Sequence, residues 1–371
     1  EIANVLALPP NRLRIINMEI GGYFGDKTSL SPGFYVALAT WKTGRPSKMV
    51  YSREESFIAT RKRHPFIMRY TTGASRDGRL IAVKAEILAD TGAYAASGPT
   101  VLVKSLIHAV GPYVVPHVRV DERFVYTNNP VGGSMRGLGV PQVAFAHESQ
   151  MDLLAQRLRI DPFEIRLKNA LRPGEVTATG QPLGESVGLV ETLASVRGEI
   201  TKRGTPAPCG SKRYGWGIAS MIYGIGLAGR SNPSGARIEV DEKGCFTLYV
   251  GVGEGGQGSF TVLSQIAAEA LGVSVEAIRV VGGDTDSCPD SGVMAGSRVT
   301  YTLGRSVQMA AEKLSEVLLG TAASMMEVPP DSLSFANGHY TLSNGHPRAL
   351  SLERVVERMK MQGISPWAEA S

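Results

Sequence analysis

FTLYVGVGEGGQGSFTVLSQIAAEAL, residues 246–271, is the stretch that decides the fold. Apolar residues alternate over 246–250 and recur at helical spacing over 259–271, which predicts a strand and a helix joined by a glycine-rich loop. The loop, Gly251 to Gly256, matches the G-x-G-x-x-G pattern of dinucleotide-binding folds. An NAD(P)-dependent dehydrogenase is therefore one interpretation, although the expected ribose-binding acid comes late, at Asp284.

Two further glycine-rich loops lie in the first half of the chain. GGYFGDKT, residues 21–28, follows a predicted strand at 12–18 and departs from a P-loop because Asp26 stands where a glycine is required. GGSMRGLGVPQ, residues 132–142, places Arg136 at its centre, and a guanidinium suits phosphate or carboxylate groups. Together the three loops favour one large anionic cofactor that is held mainly by backbone groups.

The remaining periodicity predicts an α+β chain with two mixed α/β domains, which we place at residues 1–190 and 191–371. A segment rich in Gly, Pro, Thr and Ser at 172–212 lies near their boundary. The first domain is predicted to contain a helix at 31–41, a strand at 48–51, a hairpin of strands 69–72 and 80–88, and helices at 143–158 and 161–171. The second is predicted to contain strands at 236–240, 246–250 and 278–281, helices at 259–271, 299–319 and 352–361, and a hairpin at 333–342.

Composition narrows the classes of protein. The net charge of the 371 residues is +5 and the basic residues are spread along the chain, so nucleic acid is not an expected partner. No apolar run reaches the roughly 18 residues of a membrane span and no signal peptide is recognisable, so we expect a cytoplasmic protein. The three cysteines, Cys209, Cys245 and Cys288, lack the spacing of a disulfide, zinc or iron–sulfur framework, and we interpret them as buried thiols.

Five motifs occur in an order that resembles the molybdopterin-binding subunit of the xanthine dehydrogenase and aldehyde oxidoreductase family. They are GGYFGDK, GSMRGLGVPQ, MDLLAQRLRIDPFEIRLKNALRPGE, GEGGQG and SGVMAGS. The resemblance implies two mixed α/β domains with the cofactor between them, and an oxidoreductase that hydroxylates a heterocycle or oxidises an aldehyde with oxygen from water. It implies molybdenum on a molybdopterin, with the cytosine dinucleotide form left open, and electron transfer to [2Fe-2S] and FAD groups on partner domains or subunits.

The same resemblance assigns residues to the cofactor and the chemistry. The cofactor-binding residues it implies are Gly22, Phe24, Gly25, Arg136, Gly256, Gln257, Gly258, Ala295, Gly296 and Ser297, and the protein itself supplies no metal ligand. The family's catalytic glutamate belongs to a separate Gly-Glu motif that these residues lack, and Glu254 is part of the cofactor loop instead. We therefore expect the chain to be inactive alone, as a fragment or as one half of a subunit whose second chain supplies that glutamate.

The implied substrate pocket differs from that of purine hydroxylases. Its residues are Thr28, Lys104, Leu138, Ser220 and Met221. Thr28 replaces a pocket glutamate, and Leu138 and Ser220 replace two phenylalanines, which argues against xanthine. Lys104 stands where the purine enzymes carry an arginine, so we expect a small anionic heterocycle or aldehyde acid. A catalytically inactive scaffold subunit that kept the fold remains a further alternative.

Overall fold

The computed structural model describes residues 1–28, 31–227, 231–343 and 346–371, and of Thr28 and Ser31 only the backbone. Two compact units result from the packing: residues 24–223, and residues 1–23 together with 224–371. Within the described residues, no helix is long and apolar enough to cross a membrane.

Helices and short strands alternate along the chain. The helices are α1 (Ile2–Val5), α2 (Ser31–Thr43), α3 (Arg53–Ala59), α4 (Gly98–His108), α5 (Val140–Leu158), α6 (Pro162–Asn169), α7 (Leu189–Arg203), α8 (Ser259–Leu271), α9 (Gly304–Met326) and α10 (Leu352–Met361). The strands are β1 (Lys62–Arg63), β2 (Phe66–Ala74), β3 (Leu80–Gly92), β4 (His117–Tyr126), β5 (Gly132–Gly133), β6 (Ala236–Val240), β7 (Phe246–Val250), β8 (Ile278–Gly282), β9 (Leu333–Ala336), β10 (His339–Leu342), β11 (Ala349–Ser351) and β12 (Trp367–Ala370).

The unit of residues 24–223 is built on a three-stranded sheet of order β2-β3-β4. β2 and β3 form an antiparallel hairpin, and α4 is the crossover that returns the chain to β4, parallel to β3. Alternate residues of β3, such as Val83, Ala85 and Ile87, are buried, as expected for a sheet with one covered face. Helices α5 and α6 supply the other side of the core through Met151, Ala155 and Ile165.

The other unit contains a four-stranded sheet of order β12-β6-β7-β8. β6 and β7 are antiparallel, whereas β8 lies parallel to β7 after the crossover helix α8. α9 packs against α8 and against this sheet, and its buried stripe includes Val307, Leu314 and Leu318. A small antiparallel sheet, β11-β10-β9, and the amphipathic α10 close the core.

The first 23 residues belong to this second unit. Asn17 N donates to Gly283 O (2.8 Å), Thr285 N donates to Ile15 O (3.0 Å), and Ile20 N donates to Glu254 O (3.0 Å). The loops that follow β7 and β8 are therefore lined by residues 15–20, which come from the other end of the chain.

Most predicted elements are confirmed, but two predicted strands, the bounds of one helix and the burial of the cysteines need correction. Residues 12–18 do not form a strand but make one isolated bridge, between Ile16 and Asp284, and residues 48–51 are irregular, with 48–50 exposed. The long helix predicted at 299–319 starts as a π-helical turn at Val299–Leu303 and runs on to Met326. The cysteines are not buried: Cys209 and Cys245 are exposed and Cys288 is half-buried.

Candidate functional site

In the glycine-rich loop before α8, the side chain of Glu254 accepts hydrogen bonds from backbone N–H groups of the same loop. Glu254 Oε1 accepts hydrogen bonds from Gly256 N (2.8 Å) and Gly258 N (3.0 Å), and its Oε2 accepts one from Phe260 N (3.2 Å). Phe260 N lies in the first turn of α8, where backbone N–H groups have no partner within the helix, and Gly256 and Gly258 belong to the turn that leads into it. Burial would raise the pKa of Glu254, but the backbone N–H groups outweigh it and the pKa lies below its ordinary value.

The predicted cofactor residues of this loop are open to a ligand. Gly256 and Gly258 have φ of +89° and +79°, and a Cβ built on either would meet no atom within 4 Å. Gln257 is exposed, and its carboxamide is oriented by Gly255 N, which donates to Oε1 (2.9 Å), and by Ser259 Oγ, which accepts from Nε2 (2.7 Å). The glycines are thus required by the backbone conformation, and the space above them is free for a group that approaches closely.

The dinucleotide interpretation of this loop is not supported. The N–H groups that would bind a pyrophosphate already donate to Glu254. Asp284, the acid that would bind the ribose, forms a bidentate ion pair with Arg14, with Nε–Oδ1 and Nη2–Oδ2 distances of 3.0 and 2.6 Å. The same contacts hold the pKa of Asp284 at about 2, well below its usual range.

The SGVMAGS motif, residues 291–297, belongs to the same unit as the loop before α8. Gly296 has φ +58° and its carbonyl accepts from Gly226 N (2.7 Å), so close that a Cβ would lie 2.8 Å from Gly226 O. Ala295 and Ser297 flank it, and Ser297 also has a positive φ, +61°. Gly22, with φ +59°, precedes Tyr23, whose Cβ lies 2.7 Å from a Cβ built on Gly255. The structure therefore places residues 22–23 beside the loop before α8.

In the unit of residues 24–223, the predicted loops at 24–25 and 134–136 meet. Arg136 N donates to Phe24 O (2.8 Å), and the Arg136 carbonyl accepts from Arg63 Nη2 (2.9 Å). Gly25 has φ +108°, and a Cβ there would lie 2.5 Å from Ser134 O, so only glycine fits. The two residues are exposed to solvent: Phe24 is 54% exposed, and Arg136 is also exposed.

Lys104 forms a cationic and aromatic cluster with two residues that the sequence analysis missed. Lys104 is buried on α4, its Nζ lies 4.9 Å from the ring centroid of Tyr223, and that ring stacks on His108 at 5.8 Å and 19°. The His108 Nδ1–H donates to the carbonyl of Lys104 (2.7 Å). Burial lowers the pKa of Lys104, and burial together with the charges of Lys104 and His147 lowers the pKa of His108.

Ser220 is tied to a buried ionic network that was also missed. Ser220 N donates to Glu148 Oε2 (2.9 Å), and this carboxylate also accepts from Tyr113 Oη (2.6 Å), His147 Nδ1 (3.1 Å) and Arg166 Nε (2.8 Å). Burial would raise the pKa of Glu148, but these donors outweigh it and lower the pKa. The network therefore fixes the chain at Ser220, three residues before Tyr223. No local sequence motif predicts this network, because most of its residues are far apart in the sequence and come together only when α5 and α6 pack.

The remaining predicted pocket residues are Leu138, Met221 and Thr28. Leu138 is buried with φ +47°, in a loop whose Gly139 lies against α4. Met221 is 57% exposed. The side chain of Thr28 lies outside the described residues. Within the described part of the chain, no three His, Cys, Asp or Glu side chains are grouped to hold a metal ion.

Comparison with known proteins identifies the family. Two family models match the chain, both described as a molybdopterin cofactor-binding domain, over residues 1–170 and 193–371. The chain belongs to the molybdopterin-binding subunits of the xanthine dehydrogenase and aldehyde oxidoreductase family. The resemblance inferred from the five motifs, and the fold class with it, is confirmed.

Individual members of this molybdopterin-binding family are similar over part of their length. The chain is 53% identical over 197 residues to the nicotinate dehydrogenase large molybdopterin subunit of Eubacterium barkeri, covering 53% of this chain and 46% of that protein. It is 37% identical over 361 residues to a putative xanthine dehydrogenase molybdenum-binding subunit of Escherichia coli (strain K12), covering 92% and 46%. The solved structure of the aldehyde oxidoreductase from Desulfovibrio gigas superposes with a TM-score of 0.84 at 27% identity, over 100% of this chain and 38% of that one. The chain thus spans about half the length of the curated relatives it matches or less.

The loops fit a molybdopterin. Positive-φ glycines at 256 and 258 leave backbone open to a close ligand, and Gln257 presents an oriented carboxamide beside them. In the other unit, Arg136 presents an exposed guanidinium, which suits a phosphate group. Each set of groups, taken by itself, offers hydrogen bonds or a positive charge to the organic part of a molybdopterin, which would itself carry the metal.

Proposed function

We propose that this chain is the molybdopterin-binding part of a molybdenum hydroxylase that hydroxylates a heterocycle or oxidises an aldehyde with oxygen from water. When bound, the cofactor supplies the oxygen transfer and accepts the electrons. The observation that carries the proposal is the loop of residues 251–258, whose capped conformation leaves Gln257 and two open glycines facing outward. Residues 1–190 and 191–371 are the two cofactor-binding domains in this proposal, supported by family matches at 1–170 and 193–371.

The site residues divide into three groups by role. Gly22, Phe24 and Gly25 supply backbone beside the cofactor, Arg136 and Gln257 bind its polar groups, and the Gly256–Gly258 and Ala295–Ser297 turns admit it closely. The catalytic glutamate of the family comes from polypeptide outside these residues, either a longer form of this subunit or a second chain. Electrons leave through an iron–sulfur subunit and then an FAD subunit. Cys209, Cys245 and Cys288 are free thiols, which supports a cytoplasmic complex because free thiols persist in a reducing compartment.

Metal analysis of the native complex tests this proposal. The complex is isolated from its own host through a tag on this chain, and molybdenum and iron are measured by mass spectrometry. We expect about one molybdenum per copy with accompanying iron, and a substantially lower molybdenum content in Arg136→Met, because the guanidinium binds the cofactor phosphate. Arg119→Met, which removes an exposed charge on β4, is the control and should keep its molybdenum. A complete complex without molybdenum would overturn the proposal in favour of a scaffold subunit.

We further propose that the substrate is a small heteroaromatic carboxylate or an aldehyde acid. Lys104 places a buried amino group 4.9 Å from the ring centroid of Tyr223, and a carboxylate on the substrate would form a charge-assisted hydrogen bond with it. The relative with 53% identity is named for nicotinate, which is an anionic nitrogen heterocycle. The differences at Thr28, Leu138 and Ser220 from the purine hydroxylases support the same choice.

Substrate kinetics of Lys104 variants test the substrate class. In the loaded complex, Lys104→Met should raise KM for a carboxylate substrate tenfold or more, about 1.4 kcal/mol or more of binding energy, with kcat changed little. Lys104→Arg keeps the cation and should retain most of the affinity. A neutral aldehyde of similar size should show no such change. An unchanged KM for every anionic substrate in Lys104→Met would contradict the assignment.

A further inference from the structure

Glu254 occupies the place at the start of α8 where an external anion would bind. Its two carboxylate oxygens accept three backbone N–H groups, from Gly256, Gly258 and Phe260, at 2.8 to 3.2 Å. Each of these is a charge-assisted hydrogen bond, roughly twice as strong as a neutral one. The carboxylate is therefore engaged on both oxygens by its own loop.

The last two glycines of this loop face open space. Gly256 and Gly258 adopt left-handed conformations, and no atom lies within 4 Å of a Cβ built on either. On the other side, Glu254 is anchored: its carbonyl accepts from Ile20 N (3.0 Å), and a Cβ on the neighbouring Gly253 would lie 2.2 Å from Asn17 Nδ2. The Glu254 side chain thus links a packed backbone to the turn that contains Gly256 and Gly258.

The turn that Glu254 holds contains Gln257. The Gln257 carboxamide accepts from Gly255 N and donates to Ser259 Oγ, so both of its partners lie within the capped segment. A shift of the turn would move the carboxamide and the open backbone of Gly256 and Gly258 together. The position of the cofactor-facing groups therefore depends on the Glu254 cap.

We infer that Glu254 is a positioning residue for the molybdopterin cofactor, whose carboxylate caps α8 and thereby fixes Gln257 and the glycine turn for cofactor binding. It is not the base of the reaction, because its oxygens are committed to backbone donors. The inference rests on the proposed role of Gln257 at the cofactor. Because the helix start is already neutralised, this loop does not take the phosphate of a nucleotide in the manner of a dinucleotide-binding fold.

Hydrogen exchange and metal content of Glu254→Gln, in the native complex, test the inference. The amide keeps the size of the side chain but replaces one acceptor oxygen with a donor. We expect amides 256–260 to exchange at least tenfold faster, molybdenum per copy to fall at least twofold, and kcat per bound molybdenum to stay within threefold of wild type. Glu269→Gln, the same change at an exposed position of α8, should alter none of these. If Glu254→Gln does not fold, Glu254→Asp keeps the charge, shortens its reach and should show the same losses in smaller measure.

Two kinds of result would overturn the inference. Unchanged exchange or unchanged molybdenum content would show that the cap does not position the cofactor. A collapse of kcat per molybdenum at full occupancy and with unchanged exchange would place Glu254 in the proton transfer instead. Failure of the proposed function is separate, since it would appear as a wild-type complex without molybdenum.

Discussion

Two carboxylates of the unit 24–223, the buried Glu148 and the half-buried Glu122, show how local donors set the charge of a residue. Glu148 receives four donors and stays anionic. Glu122 on β4 receives one, the Ser105 hydroxyl at 2.7 Å from Oε1, and its buried Oε2 has no hydrogen-bond partner among the described residues. Burial raises the pKa of Glu122 to about 7, with the Ser105 hydrogen bond opposing the rise. The two residues differ in hydrogen bonding rather than in side-chain chemistry.

Glu122 makes stability fall as the pH rises. Its folded pKa of about 7 exceeds the ordinary 4.5, so the folded state holds a proton that the unfolded state has lost between these values. We therefore expect Glu122→Gln to raise the free energy of unfolding by about 1–2 kcal/mol at pH 8 and to change it little at pH 4.5. Calorimetry at the two pH values measures this. Glu86→Gln, an exposed position on the neighbouring strand, should show no such difference, and an equal gain at both pH values would contradict the argument.

At the scale of elements, the periodicity of apolar residues correctly predicts a strand or helix where the segment packs against a neighbour that is close in sequence. The alternating runs of β6 and β7, the hairpin of β2 and β3 and the amphipathic α10 all lie where the pattern predicts them. Residues 12–18 are also rich in apolar side chains, but they meet the loop at Asp284 through one bridge and form no ladder. A strand needs a neighbour as well as a pattern, and the pattern alone does not show the neighbour.

The candidate site also contains features that the sequence predicts and features that it does not. Its glycine turns are local, so their positions at 22–25, 256–258 and 296 follow from motifs, and the structure gives each a positive φ. The side chains that fix those turns and the pocket do not follow from motifs. Arg166 reaches Glu148 across 18 residues, and Ser220 reaches it across 72. Such contacts depend on how α5 and α6 pack, and a spacing rule within one element does not contain that information.

At the scale of the whole molecule, the amino-terminal segment of the chain packs with its carboxy-terminal part. One unit is discontinuous, since residues 1–23 pack with 224–371, and all of residues 24–223 are inserted between them. Arg14 adds a side-chain link within this discontinuous unit, through its bidentate pair with Asp284. Residues 204–217, by contrast, are exposed and contain no helix or paired strand beyond one isolated bridge. The covalent connection there contributes little to the packing of either unit.

Cutting the chain in this exposed segment should leave the molecule assembled. Trypsin at low dose is expected to cleave after Lys212 or Arg213, which are exposed, and the two fragments should elute as one species in size-exclusion chromatography. The hydrogen bonds of residues 15–20 to the loops after β7 and β8, and of Ser220 to Glu148, would hold them together. The two fragments of nicked Arg14→Met should separate at a lower urea concentration than those of nicked Arg12→Met. Arg12→Met is the control, because it removes the same charge two residues away. Fragments that separate without denaturant, or equal urea midpoints for the two variants, would show that the amino-terminal segment does not anchor this unit.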